Sequence, residues 1–154
     1  MIKKVLTIFS VIVGCGLSLS AQTGSPFIHD PSTIVECDGK YYTFGTGGGG
    51  LISEDGWVWK GGAVRPGGGV APDALKIGER YLVAYALPDR GVGNGHRSRV
   101  YIMWNKTLDP ASPDFKFTEP IDIAGSDGFE DCDAIDAGLM MGPDGRLWLT
   151  YGTY

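Results

Sequence analysis

A unit of two short strands joined by a tight turn occurs three times along this chain and limits the folds that are open to it. The copies span residues 32–44, 74–85 and 138–151, with turns at Asp38-Gly39, Gly78-Glu79 and Asp144-Gly145. Turn residues of this kind between apolar runs favour hairpins, and the aromatic and β-branched residues that flank them favour strands. The pattern predicts an all-β fold.

Composition supports the same fold class and excludes several others. Of 154 residues, 25 are glycine, about twice the average usage, and glycine disfavours helix interiors. No helical period appears after the N-terminus, and the balance of 43% hydrophobic with 20% charged residues is that of a globular chain. The formal charge is −5, and an acidic chain without a basic patch is unsuited to binding nucleic acid.

The copies align with one another along the sequence. The first and third superpose at an offset of 106 residues, which places Asp30 on Asp136. The second aligns at an offset of about 40, which puts Asp73 opposite Thr33 and out of phase with the other two aspartates. Repeats of this length are typical of β-propeller blades. A β-sandwich also has short strands and frequent turns, but the in-phase aspartates favour a propeller, in which strand starts meet near one axis.

The N-terminus predicts export. Residues 1–21 combine Lys3 and Lys4 with an apolar stretch over 5–14 and small residues ending at Ala21, as in a secretory signal peptide. In a second interpretation, the segment ending at Cys15 is a lipobox and Cys15 carries a lipid anchor. Both interpretations predict a periplasmic, secreted or surface-anchored lipoprotein location. The apolar stretch is too short for a membrane span.

Two cysteines, Cys37 and Cys132, remain in the mature chain of residues 22–154. In an exported protein they can form one disulfide. Two separate buried thiols are the alternative, and the sequence leaves both open because it does not show whether the residues are close.

Four short segments carry a combined signal. They are His29-Asp30-Pro31-Ser32 with residues 39–49, Ser53-Glu54-Asp55 with Trp59, Ala71-Pro72-Asp73, and Ala134-Ile135-Asp136 with residues 145–152. In this order they resemble glycoside hydrolase family 43 across the whole mature chain. The resemblance implies a five-bladed β-propeller that hydrolyses arabinose- or xylose-containing plant-type polysaccharides by inversion. Residues 22–154 would hold the first two to three blades and stop within the third.

The resemblance also implies roles for individual residues. Asp30 would be the general base and Asp136 the residue that modulates the pKa of the general acid. The expected substrate-binding residues are His29, Ala71, Asp73 and Ile135. The general acid of the family is a glutamate in a later blade, expected beyond Tyr154, so the 154-residue chain alone is predicted to be inactive. Two carboxylates converging on one cavity suit glycoside hydrolysis on chemical grounds as well.

No cofactor and no metal ligand are expected within this chain, although a structural calcium in the full-length protein is compatible with the family. Val70 and Ala137 stand where the family usually has Trp and Pro. These departures suit an alternative function, a non-catalytic carbohydrate-binding propeller. A sialidase-like propeller is a further alternative because Ser53-x-Asp55 resembles an Asp-box, and a gene remnant with no folded function is another.

Two minor predictions concern side chains outside the site. Trp57, Trp59 and Trp104 are expected to pack in the core, because aromatic residues commonly do. Asn105-Lys106-Thr107 fits an N-glycosylation sequon, a pattern that often occurs by chance.

Overall fold

The computed structural model describes residues 23–24, 26–88, 97–125 and 132–153, and strands are the regular elements of these ranges. The strands are β1 (Thr23–Gly24), β2 (Val35–Cys37), β3 (Lys40–Phe44), β4 (Gly49–Ser53), β5 (Val58–Val64), β6 (Val70–Ile77), β7 (Arg80–Pro88), β8 (Ser98–Asn105), β9 (Ile121–Gly125), β10 (Ile135–Met141) and β11 (Leu147–Gly152). The all-β prediction is confirmed. The predicted leader, Cys15 included, lies outside the described residues, and no helix in the described part is long and apolar enough to cross a membrane.

The strands form three sheets. Sheet A is an antiparallel meander of β2 to β5 with β1 added in parallel beside β5. Sheet B is the antiparallel meander of β6 to β9, and sheet C is the antiparallel pair β10 and β11.

All three predicted hairpins are present. At the first turn, Asp38 and Gly39 have φ values of 52° and 78°, the left-handed backbone that tight hairpin turns require. Strand β3 has the predicted bounds. The predicted strand over residues 32–35 is wrong in position, because β2 begins only at Val35.

The same irregularity interrupts all three hairpins. In the first copy, the Thr46 N–H donates to the His29 carbonyl oxygen and the Ser32 N–H donates to the Phe44 carbonyl oxygen. An advance of three residues on one side of the hairpin therefore lies opposite an advance of two residues on the other. The pairs Val70–Ala86 and Asp73–Ala84, and then Ile135–Gly152 and Gly138–Thr150, repeat this spacing. Each is a β-bulge. The bulges of the first and third copies are related by the predicted offset of 106 residues.

The bulges also correct the phase of the second copy. Asp30, Ala71 and Asp136 occupy the same bulge position, with φ values of 49°, 43° and 57°. The offset is 41 residues from His29 to Val70 but 40 from Thr46 to Ala86, because the second hairpin is one residue shorter. Ala71 is therefore the counterpart of the two aspartates, and a single offset could not show this.

Sheet B lies between the other two sheets. On β7, Tyr81, Val83 and Tyr85 belong to the core shared with sheet A, whereas Ala84 belongs to the core shared with sheet C. This alternation is the two-residue period of a strand, and it explains why β7 is buried on both faces.

Several open questions about single side chains are answered here. Cys37 and Cys132 are both free, so the disulfide is not observed. Of the two separate thiols, Cys37 is buried as expected and Cys132 is only half-buried. Trp59 is buried as predicted, but the prediction for Trp57 is wrong, since it is 68% exposed on the turn before β5. Asn105 is only 2% exposed, so its sequon is inaccessible in the folded chain.

Candidate active site

The three bulges meet at one cavity. It has a volume of about 180 Å³ and is lined by Asp30, Pro31, Ala71, Pro72, Asp136 and Ala137, two residues from each bulge. We call it the site cavity. Asp30, Ala71 and Asp136 have a left-handed backbone, which is uncommon for residues other than glycine. Asp and Asn tolerate this conformation best, and for other residues with a side chain it costs about 1–2 kcal/mol. Such strain concentrates at functional sites.

The Asp30 carboxylate is held through one of its oxygens. The Nδ1 atom of His29 lies 2.7 Å from Oδ2, and the hydroxyl of Thr46 donates to the same oxygen at 2.7 Å. Thr46 Oγ1 in turn accepts the backbone N–H of Ala71 at 3.0 Å. Both of these contacts with the Asp30 carboxylate are therefore made to Oδ2.

Asp73 is not in the lining of the site cavity. Its side chain is buried, and its two oxygens accept the backbone N–H groups of Thr33 at 2.9 Å and Leu139 at 2.7 Å. Thr33 and Leu139 follow Asp30 and Asp136 by three residues each. The Asp73 carboxylate therefore links the strand starts of sheets A and C through sheet B, and both oxygens are occupied by this link.

A buried arginine connects the loop segments next to the cavity-lining residues through hydrogen bonds. Arg65 donates to the carbonyl oxygens of Gly68 and Gly45 and stacks over the Tyr85 ring at 4.5 Å. Burial lowers the pKa of Arg65 to about 10, so the guanidinium is still protonated at neutral pH. Gly45 precedes Thr46 and Gly68 lies near Ala71, so this cation connects two parts of the site.

The remaining predicted site residues divide into two groups. Ala71 lines the site cavity, and His29 contacts Asp30 instead of standing in the lining. Ile135 pairs with Gly152 at the bulge and is absent from the lining. Within the described ranges, no group of three or more His, Cys, Asp or Glu side chains is arranged to hold a metal ion.

Sequence reasoning gave no site role to Arg65, Thr46, Pro31 or Pro72, although the last three lie in the segments that carry the family resemblance. Thr46 lies in a glycine-rich segment directly after β3, and each of the two prolines follows a bulge residue. Their positions relative to the strands were therefore the sequence signal that could have identified them as site residues. Ala137 was noticed only as a departure from the family. It is 6% exposed and packs with Ala134 in the core between sheets B and C.

Comparison with known proteins finds relatives whose names refer to arabinan cleavage. No family model matches the chain. Two curated relatives, the probable arabinan endo-1,5-alpha-L-arabinosidases A of Aspergillus flavus and Aspergillus oryzae, are each 31% identical over 150 residues, covering 87% of this chain and 44% of the relative. The chain thus spans less than half the length of the curated relatives that it matches.

Solved structures of arabinanases are also similar to this chain. An exo-1,5-alpha-L-arabinanase from a bovine ruminal metagenomic library is 33% identical with a TM-score of 0.67, over 80% of this chain and 45% of that one. The resemblance to glycoside hydrolase family 43 is confirmed. A family 43 endo-arabinanase from Bacillus licheniformis, 24% identical, shares the fold with a TM-score of 0.68 over 84% of this chain and 48% of its own. The antiparallel sheets described above thus share the fold of that endo-arabinanase over most of this chain.

Proposed function

We propose that this chain is the N-terminal part of an exported arabinanase that hydrolyses 1,5-linked arabinan with inversion. The relatives that exceed 30% identity carry arabinan-cleaving names. The observation that carries the proposal is the convergence of Asp30 and Asp136, from equivalent strained bulges, on one cavity. Carboxylates that converge on one cavity are the working groups of glycoside hydrolysis.

Asp30 is assigned as the general base. His29 and Thr46 both bond to its Oδ2 atom, so Oδ1 takes the proton from the attacking water. The water adds to the anomeric carbon as the glycosidic bond breaks through an oxocarbenium-like transition state. Asp136 faces the same cavity and modulates the pKa of the general acid.

The general acid is assigned to a glutamate of a later blade, as the family resemblance implies. Among the described residues, no glutamate lines the site cavity. In an inverting enzyme the acid and base carboxylates lie roughly 6.5–9.5 Å apart, which leaves room for the water. Ala71 presents a small side chain at the bulge position where its counterparts carry aspartates, so sheet B leaves space for a sugar ring at this corner.

We assign sheets A and B to the first two blades of a five-bladed propeller and sheet C to the start of a third. Two apolar surfaces support this. An open groove of about 230 Å³ on sheet A is lined by Ile28, Ile34 and Leu51 among others. On sheet C, Met140 and Trp148 are 58% and 50% exposed. Further blades would cover both surfaces. The leader over residues 1–21, cleaved after Ala21 or lipidated at Cys15, would export the protein.

Hydrolysis of linear 1,5-arabinan tests the proposal. The chain ending at Tyr154 is compared with the product of the reading frame continued past codon 154. We expect no turnover by the former and turnover by the latter, with the initial product of inverted anomeric configuration in proton NMR. Asp30→Asn should lower kcat by at least about a thousandfold, because single displacement has no other group to activate water.

The exposed carboxylate of Asp114, between β8 and β9, provides the control variant Asp114→Asn, which should retain full activity. Turnover by the 154-residue chain, retention of configuration, or an active Asp30→Asn variant would each contradict the assignment. Arabinan binding by the longer protein without hydrolysis would favour the non-catalytic propeller instead.

A further inference from the structure

We infer that Thr46 is a positioning residue for the general base: its hydroxyl fixes the Asp30 carboxylate so that Oδ1 is the oxygen that receives the proton. The catalytic meaning of this inference rests on the proposed function, whereas the interaction itself stands on the geometry around Thr46.

The direction of the hydrogen bonds follows from the donors available. The backbone nitrogen of Ala71 can only donate, and it donates to Thr46 Oγ1 at 3.0 Å. The hydroxyl has a single hydrogen, and an ionised carboxylate can only accept. That hydrogen therefore points to Asp30 Oδ2, 2.7 Å away. The Ala71 amide thus sets the orientation of the Thr46 hydroxyl, and the hydroxyl sets that of the carboxylate.

The backbone of Thr46 is held as firmly as its side chain. Its N–H donates to the carbonyl oxygen of His29 at 3.0 Å. The neighbouring Gly45 allows this close approach, since a Cβ there would lie 2.9 Å from the same oxygen. On the other side, the Gly47 N–H donates to Gly69 at 2.8 Å. Thr46 therefore has little freedom to turn its hydroxyl elsewhere.

This arrangement joins two of the three bulges through one hydroxyl. Thr46 accepts from the bulge of sheet B and donates to the bulge of sheet A. With His29 on the same oxygen, both hydrogen bonds of Asp30 come from one side. A carboxylate anchored in this way keeps Oδ1 aimed at the site cavity and loses less entropy in the transition state.

Paired substitutions at position 46 test the inference. In the hydrolytically active protein, Thr46→Val keeps the shape of the side chain but removes the hydroxyl, and should lower kcat about 10- to 100-fold while changing KM less than about threefold. Thr46→Ser restores the hydroxyl and should recover kcat to within about threefold. Thr118→Val is the matched control, because Thr118 also accepts a backbone N–H, from Trp104, at an exposed position.

The split between kcat and KM separates positioning from a general loss of structure. A misoriented base slows the chemical step and leaves substrate binding nearly unchanged. His29 on the same oxygen, Asp136 in the cavity lining and the Arg65 cation are unchanged in every variant. A structural lesion would instead lower the free energy of unfolding and raise KM as well.

A second readout does not require activity. In the 154-residue chain, the carboxyl carbon signal of Asp30 can be recorded by NMR at neutral pH. Its chemical shift should change in Thr46→Val, which removes a hydrogen bond to the carboxylate, and stay unchanged in Thr46→Ser and Thr118→Val. If this change appears in a protein that hydrolyses nothing, the proposed function fails and the positioning role stands. An unchanged Asp30 signal in Thr46→Val, or full kcat in that variant, would overturn the inference.

Discussion

At the turn between β4 and β5, one buried hydroxyl organises the chain. Ser53 is fully buried, donates to Asp55 Oδ1 at 3.1 Å and accepts the Gly56 N–H at 2.8 Å. Asp55 in turn accepts the N–H groups of Val58 and Trp57, which hold its pKa below the ordinary value. The turn therefore depends on an acceptor in the core and on an ionised carboxylate at the surface.

We expect Ser53→Ala to lower the free energy of unfolding by about 1–3 kcal/mol, because the Gly56 amide loses its acceptor inside the fold. Urea unfolding monitored by tryptophan fluorescence measures this. Ser112→Ala, in a less buried turn where Ser112 accepts the Asp114 N–H, should cost clearly less. Equal losses in the two variants would show that burial of the Ser53 hydroxyl has no special effect.

At the scale of the strand, β6 carries the carboxylate that ties neighbouring sheets together. Asp73→Asn keeps the size of the side chain but leaves one acceptor for the two amides of Thr33 and Leu139, and its own NH₂ group would face one of them. We expect a loss of about 2–3 kcal/mol in stability. Hydrolysis by the active protein should fall as well, since the separation of Asp30 and Asp136 depends on this link.

Calorimetry and urea unfolding check the stability loss at neutral pH, with Asp114→Asn as the exposed control. A wild-type unfolding midpoint in Asp73→Asn would refute a bridging role. Selective loss of substrate affinity at unchanged stability would instead support the substrate-binding role expected from the sequence.

The hairpins were predictable because a turn such as Asp38-Gly39 is determined by its own residues. The bulges were not, because they depend on how many residues each return strand contributes. Since the second hairpin is one residue shorter, no single offset aligns Ala71 with Asp30 and Asp136. The contacts of Asp73 and Thr46 join segments that are 40 and 25 residues apart. Such pairings follow from sheet packing and leave no local trace in the sequence.

At the scale of the whole molecule, tyrosines dominate the core between sheets A and B. Tyr42, Tyr81 and Tyr85 are all at most 4% exposed. Burial raises the pKa of Tyr42 to about 12, with Asp109 adding to the effect, and burial likewise raises the pKa of Tyr81 and Tyr85. Arg65, stacked on Tyr85, shifts in the opposite sense, since burial lowers its pKa to about 10.

These shifts predict the alkaline limit of stability. Above pH 10 an unfolded tyrosine loses its proton while the buried one keeps it, so each tyrosine favours unfolding as pH rises towards its folded pKa. Arg65 has the opposite effect. In this pH range the unfolded chain keeps the Arg65 proton while the folded chain loses it, so this group favours folding as pH rises. Because three tyrosines act against one arginine, we expect a net loss of stability between pH 10 and 11. Urea unfolding from pH 8 to 11 measures this loss of stability.

Tyr42→Phe should flatten the decline of stability with pH. Tyr151→Phe should not, because the Tyr151 side chain is 41% exposed. Stability that rises over this range would mean that Arg65 outweighs the tyrosines and that the core between the first two sheets does not hold them in their protonated form.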